Sequence, residues 1–227
     1  MIDFKIFNGF PEVVQGMTTK DFGSLNSDEN GFQDTIKKLQ RELSLPTEPH
    51  FLRQVHGNKI HVVNTVAPLS EMPEADVLIT QLKGVPLMIK VADCQALLFY
   101  DPTQHVIAAV HAGWRGLVAD IIATVIRTLV ADFDSRQEDL LVAAGPSLGP
   151  CCATFTDPHR ELPPRFSPYI NSENHVDLWA FTQAELHEAG VPPSHIELMK
   201  VCTQSSHDLC FSARAGDTGR MGAVIMM

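Results

Sequence analysis

The chain has little of what several broad functions need. It contains no apolar run approaching the roughly 20 residues of a membrane-spanning helix, so no membrane partner is expected. Its first five residues, MIDFK, lack a basic segment leading into a long apolar one, so no secretory signal is expected. Positive charge is scarce: 17 Lys and Arg stand against 27 Asp and Glu, a net charge of -10. Nucleic acids select basic surfaces, which disfavours DNA or RNA as the main partner. No C-x-x-C pair is present, so a zinc knuckle of that spacing is not indicated. The five cysteines (Cys94, Cys151, Cys152, Cys202 and Cys210) are odd in number and, without an export signal, do not suggest a disulfide framework. A cytoplasmic location is expected. Repeats, low-complexity tracts and clear domain linkers are also missing.

What is present suits a single domain over residues 1–227. The hydrophobic share is 44% and the charged share 19%, enough for a sizeable core and unlike a disordered chain. Residues 2–19 alternate weakly and predict one or two short strands. A polar loop follows to Gly31. Phe32, Ile36, Leu39 and Leu43 recur at helical spacing and predict a helix over 32–45, ended by Pro46. Residues 51–55 and 60–66, joined by His56-Gly57-Asn58-Lys59, predict a hairpin. A loop with Pro68 and Pro73 is expected at 67–74.

The middle of the chain is the most apolar. Strands are predicted at 76–80, 85–91, 96–100, 106–111 and 140–144, the second buried on both faces. Leu117, Ile121, Val125 and Leu129 predict a helix over 116–130. Residues 156–175 are proline-rich and irregular. A helix is predicted at 177–190, with Gly190 at its end and Pro192 beyond. Strands are expected at 196–201 and 211–214, and 218–227 reads equally as strand or helix.

Two metal-capable residues, Cys94 and His111, sit at the breaks of the central strands, and His56 arrives from upstream. The separations, 38 residues from His56 to Cys94 and 17 more to His111, are too long for a local zinc finger. They suit ligands on the ends of different strands. Two imidazoles and a thiolate would leave a zinc one open position. Asp93 beside Cys94 either caps a turn or moves protons. Arg53, Arg115, Arg214 and Arg220 suit phosphate if they lie near the metal, and the surface if they do not. Gly113 and Gly116 frame the turn after His111. Trp114 serves packing first and stacking second. Cys151, Cys152, Cys202 and Cys210 have no metal-like spacing and read as structural.

The segments RQVHG (53–57), EADVLIT (74–80), ADC (92–94), AAVHAGWRG (108–116), AAGPSLGPCC (143–152), DLWA (177–180) and CTQSSHDLCFSARAGDTGRMG (202–222) resemble one family in order and spacing. It is the laccase-domain family, first described as multicopper polyphenol oxidases and better described as zinc-dependent purine nucleoside phosphorylases with adenosine deaminase and methylthioadenosine phosphorylase activity. The resemblance implies an α+β fold of mixed sheets packed together, with helices on the outer faces. It implies zinc on His56, Cys94 and His111, with purine nucleosides and phosphate as partners. It places Asp93, Arg53 and Arg115 in catalysis and Lys20, Asn26, Arg214 and Arg220 around the substrate. The chain departs from the family at Lys20, where arginine is usual, and in a shortened loop after it. It also has Ala153-Thr154 for a Tyr-Glu pair and Phe181-Thr182 for Asn-Arg. These changes leave substrate preference open. Two other readings stand beside the phosphorylase. One is a copper-dependent polyphenol oxidase, disfavoured because the ten histidines form no His-x-His pair, so that copper in the zinc site would be adventitious. The other is editing of peptidoglycan precursors.

Overall fold

The apolar runs become the strands of two sheets in a computed structural model, which describes residues 1–67 and 72–227. Pro68 and its neighbours to residue 71, within the expected loop at 67–74, lie outside the described residues. The strands are β1 (Val14–Met17), β2 (Ile60–Val62), β3 (Val77–Thr80), β4 (Leu87–Val91), β5 (Gln95–Asp101), β6 (Val106–Ala112), β7 (Leu141–Ala144), β8 (Ile196–Leu198) and β9 (Met221–Met226). The helices are α1 (Phe32–Glu42), α2 (Trp114–Val118), α3 (Ile121–Phe133), α4 (Pro158–Glu161) and α5 (Leu178–Glu188). One sheet is antiparallel, in the order β1-β9-β4; the other runs β2-β3-β6-β5-β7-β8. In the larger sheet the inner pairs are antiparallel, and the outer pairs β2–β3 and β7–β8 are parallel.

Strand periodicity sorts these almost wholly apolar strands into separate cores. Leu98 and Tyr100 of β5 face the small sheet, where they meet Leu87, Ile89, Ala223 and Ile225. Leu97 and Phe99, the alternate residues, face Ile121, Val125 and Leu129 of α3 and Phe181 of α5. Met88, Val224 and Met226, on the far side of the small sheet, are covered by Phe32, Ile36 and Leu39 of α1. The result is two sheets face to face with helices outside, the mixed-sheet α+β architecture expected from the resemblance. Both faces of β4 are covered, which is why residues 85–91 carry no polar alternation. Among the described residues, no helix is long and apolar enough to cross a membrane.

Several local expectations give way to tertiary contacts. The hairpin at 51–66 does not form, because β2 pairs parallel with β3 instead of with the residues before it. Residues 51–55 form no strand: Arg53 makes a single bridge to Glu74. The Gln54 side chain pairs with the Lys90 backbone instead, donating to its carbonyl at 2.7 Å and accepting from its N–H at 2.9 Å. The helix expected at 116–130 is split at Asp120, which has φ +59°. Arg165 pairs with Asp120 and donates to the carbonyls of Leu117 (2.7 Å) and Val118 (3.0 Å), satisfying the end of α2. Leu117, Ile121, Val125 and Leu129 are nonetheless all buried, as their spacing requires. Helix α1 stops at Glu42, short of Pro46, with Ser44 left-handed. Residues 211–214 form no strand and lead into a turn at 213–216, and within 218–227 the strand β9 forms at Met221–Met226. Asp177 caps α5 by accepting from Ala180 N–H at 2.9 Å, and Gly190 takes the left-handed position beyond its end.

Candidate functional site

Strand register builds one cluster of ligand-type side chains. Ala96 of β5 lies opposite His111 of β6, so Cys94, just before β5, and His111, near the end of β6, lie at the same end of the two central strands. His56 arrives on the turn between Gln54 and β2. The ligand atoms of His56, Cys94 and His111 all lie within 4.8 Å of one another. The two imidazole rings are 4.7 Å apart and nearly perpendicular.

A fully buried carboxylate, Asp76, holds this arrangement from beneath. It precedes β3, the neighbour of β6. Its Oδ1 is 2.7 Å from His111 Nδ1, and it accepts the backbone N–H groups of His56 (2.9 Å) and Gly57 (2.7 Å). One side chain therefore fixes both histidines. It also supports the left-handed backbone of His56, φ +61°. The sequence offered one signal, a charged residue directly before the apolar run Val77-Leu78-Ile79, and the motif reading passed over it.

The charges of the cluster are interdependent. Burial by itself would push the Cys94 thiol up, but hydrogen bonds from His111 and His56 outweigh burial and hold it at about 6. Burial disfavours a charged His111, yet Asp76 and Cys94 together raise it to about 9. Asp76 is itself lowered: burial opposes ionisation, and His111 with the two backbone donors overcomes it. Space is equally tight. A Cβ on Gly113 would lie 2.9 Å from Cys94 Sγ and 3.3 Å from His56, and one on Gly116 would lie 2.9 Å from the Gly57 carbonyl. These glycines serve close approach, since Gly113 has an ordinary φ of -74°.

The cluster lies in a cleft of about 900 Å³, a size suited to a small-molecule ligand. Asn26, Arg53, Asp93, Arg115, Arg214 and Arg220 line it, together with Lys90, which sequence reasoning missed. The cationic lining residues are Arg53, Lys90, Arg115, Arg214 and Arg220, against Asp28 and Asp93, a reversal of the chain's overall sign. Burial lowers the Lys90 amine, which donates to Ser27 Oγ at 3.0 Å. Asp93 has φ +83° and is held from two sides, by the Thr203 hydroxyl and the Arg214 backbone N–H, each at 2.6 Å. The Arg214 side chain reaches the Thr154 carbonyl at 3.0 Å, and that of Arg220 reaches the Thr218 carbonyl at 2.7 Å. The Arg115 guanidinium stacks 4.2 Å from the Trp114 ring centre. Arg53 is exposed and pairs with Glu74.

Lys20 is the expected site residue that does not line the cleft. Its ammonium is 3.2 Å from Asp217, which also accepts from Ser212 N–H and pairs with His207. Lys20 thus fixes the turn that presents Arg214 to Asp93.

Cys151, Cys152 and Cys202 form a second group whose sulfurs also lie within 4.8 Å of one another. Spacing alone gave no hint of it, because 50 residues separate Cys152 from Cys202. Cys210 is buried and outside the group, and all five cysteines are free.

The family model described as "Multi-copper polyphenol oxidoreductase laccase" matches residues 9–227. The chain is 32% identical to the purine nucleoside phosphorylase YlmD of Geobacillus stearothermophilus, over 95% of this chain and 90% of that one. It is 31% identical to a purine nucleoside phosphorylase of Bacteroides thetaiotaomicron, over 79% of this chain and 70% of that one. Among solved structures, the Bacillus licheniformis hypothetical protein YfiH superposes with a TM-score of 0.85 at 26% identity, covering 95% of this chain and 93% of the other. The YlmD crystal structure superposes at 0.83 with 29% identity, covering 96% and 93%.

Proposed function

The chain belongs to the multi-copper polyphenol oxidoreductase laccase family, and from that premise we propose that it is a zinc-dependent purine nucleoside phosphorylase with adenosine deaminase activity. The observation that carries this reading is a cation-lined cleft, in an acidic protein, with a two-imidazole, one-thiol cluster in its lining. The relatives named purine nucleoside phosphorylase support it. Adenosine and inosine are the proposed substrates, with guanosine and methylthioadenosine as further candidates, and five free thiols suit a cytoplasmic location.

The donor set fits zinc. His56, Cys94 and His111 would hold the ion and leave one position open, and Asp76 on His111 Nδ1 leaves Nε2 for the metal. When bound, zinc supplies Lewis acidity and lowers the pKa of an oxygen presented to it. Phosphorolysis breaks the bond between C1′ and the base and joins C1′ to a phosphate oxygen. Arg53 and Arg115 offer planar guanidinium donors that orient phosphate. Arg214, Arg220 and Asn26 surround the nucleoside. In deamination, water replaces the amino group at C6 of adenine and ammonia leaves. Asp93 takes the proton from the water and returns it to the leaving group. The Thr203 hydroxyl and the Arg214 N–H hold its carboxylate in place.

The test is chromatographic. Purified protein should release free base from adenosine or inosine only with phosphate present, and should separately convert adenosine to inosine. Arg115→Ala should impair phosphorolysis more than deamination; equal losses would limit Arg115 to packing on Trp114. The same donors accept copper, so a copper-loaded arm with a phenol substrate belongs in the assay, as does one with muropeptide precursors. Oxidation or precursor turnover with no phosphate-dependent base release would reject the proposal.

A further inference from the structure

The second thiol group has the makings of a site of its own. Two loops bring it together: 147–152 after β7 and 201–206 after β8, bridged at Ser147 and Cys202. Gly149 permits their approach, since a Cβ there would lie 3.0 Å from Cys202 Cβ and 2.6 Å from Trp179. The Ser205 hydroxyl lies 3.4 Å from Cys151 Sγ and 3.3 Å from Cys152 Sγ. Cys151 is exposed, Cys152 half-buried and Cys202 buried, so the group has an open side and a closed floor. Burial would raise the Cys202 thiol, but the backbone N–H groups of Ser205 and Gly149 and the neighbouring hydroxyl hold it at about 7.

We propose that Cys151, Cys152 and Cys202 form an all-sulfur site for a soft, monovalent d10 metal ion, Cu(I) by its chemistry, separate from the cluster in the cleft. Thiolates select soft ions. Sulfurs about 2.3 Å from a shared ion in a trigonal plane stand roughly 4 Å apart. The three sulfurs, already within 4.8 Å, reach that arrangement with small side-chain movements. Zinc is the weaker match, because structural zinc takes four strong donors and the fourth neighbour here is a hydroxyl. The two cysteine loops also both reach Asp93. Thr203, next to Cys202, donates its hydroxyl to the carboxylate, and Leu148 N–H donates to the Asp93 carbonyl at 2.8 Å.

The experiment is an anaerobic Cu(I) titration against a chromophoric Cu(I) chelator, using the full chain with Cys94→Ala to silence the cleft cluster. One Cu(I) per chain is expected, with X-ray absorption showing sulfur neighbours only. Adding the exposed substitution Cys151→Ala should weaken binding at least tenfold, and adding Cys202→Ala should abolish it; circular dichroism and thermal melting check that each variant is folded. No Cu(I) held against the chelator, nitrogen neighbours in the absorption spectrum, or binding unchanged in the folded Cys151→Ala protein would overturn the proposal. So would zinc bound more tightly than Cu(I), or a Cys152–Cys202 disulfide in protein isolated without reductant. None of these readouts depends on what the cleft catalyses.

Discussion

The two sulfur-bearing clusters reach a similar end by different means. In the cleft, His111 stands on β6 and Cys94 just before its paired strand β5, and a buried carboxylate orients both imidazoles. At the outer group, loops supply every ligand, and backbone N–H groups take the place of Asp76. Both groups lower a thiol against the cost of burial: Cys94 to about 6 through imidazoles, Cys202 to about 7 through peptide dipoles. Strand pairing fixes relative positions firmly, which suits a centre that must hold reacting groups in place. Loops meeting at a glycine can adjust, which suits holding an ion and little more. The mixed nitrogen and sulfur set lines a cleft of about 900 Å³, whereas the all-sulfur set has one exposed member above a buried floor.

Substituting Cys94 should break this comparison most completely. Cys94→Ala is expected to lose the roughly one zinc per chain and to bring phosphorolysis and deamination to background, whereas Cys151→Ala keeps both. Elemental analysis with the two activity assays decides it, and equal zinc in wild type and Cys94→Ala would end the cleft model. Asp76→Asn comes next. Removing the charge under His111 should lower zinc affinity about 10–100-fold, the range for outer partners of metal-bound histidines. Competition with a zinc indicator measures this, and an unchanged affinity would mean Asp76 serves only the fold.

A glycine exchange sharpens the contrast. In Gly113→Ala the new methyl meets Cys94 Sγ, and overpacking of about 1–3 kcal/mol should weaken zinc binding. Gly149→Ala should disturb the outer thiols and spare the cleft. Calorimetric titration with each metal gives the pattern, and identical responses would mean the sites are not independent. The smallest effect concerns reactivity. In metal-free protein, alkylation of Cys94 should rise with pH and reach half its maximum near 6, because the thiolate reacts and its folded pKa is depressed. Mass spectrometry of the Cys94 peptide across pH follows it. A midpoint near the free-thiol value of about 8.5 would show that His56 and His111 do not stabilise the thiolate.

Much of this was legible in one dimension. Apolar runs located β3 to β7, helical spacing located the buried faces of α1 and α3, and the glycine and proline at its end marked α5. The ligand types His56, Cys94 and His111 were visible at strand breaks, and the family motifs gave them a common role. What the sequence could not decide was set by partners distant along the chain. Arg165 splits the helix at Asp120, Gln54 takes the place of a strand, and β2 joins β3 in parallel. Asp76 reads as an ordinary strand start until β3 lies beside β6. Nothing near Lys20 in the chain points to its ion pair with Asp217, and nothing near Cys202 points to its approach to Cys151 and Cys152 at Gly149. Local propensity and burial are properties of a residue and its near neighbours, so the sequence determined them. Which charges face one another, and which sulfurs can share an ion, depends on distances that exist only once the sheets have packed.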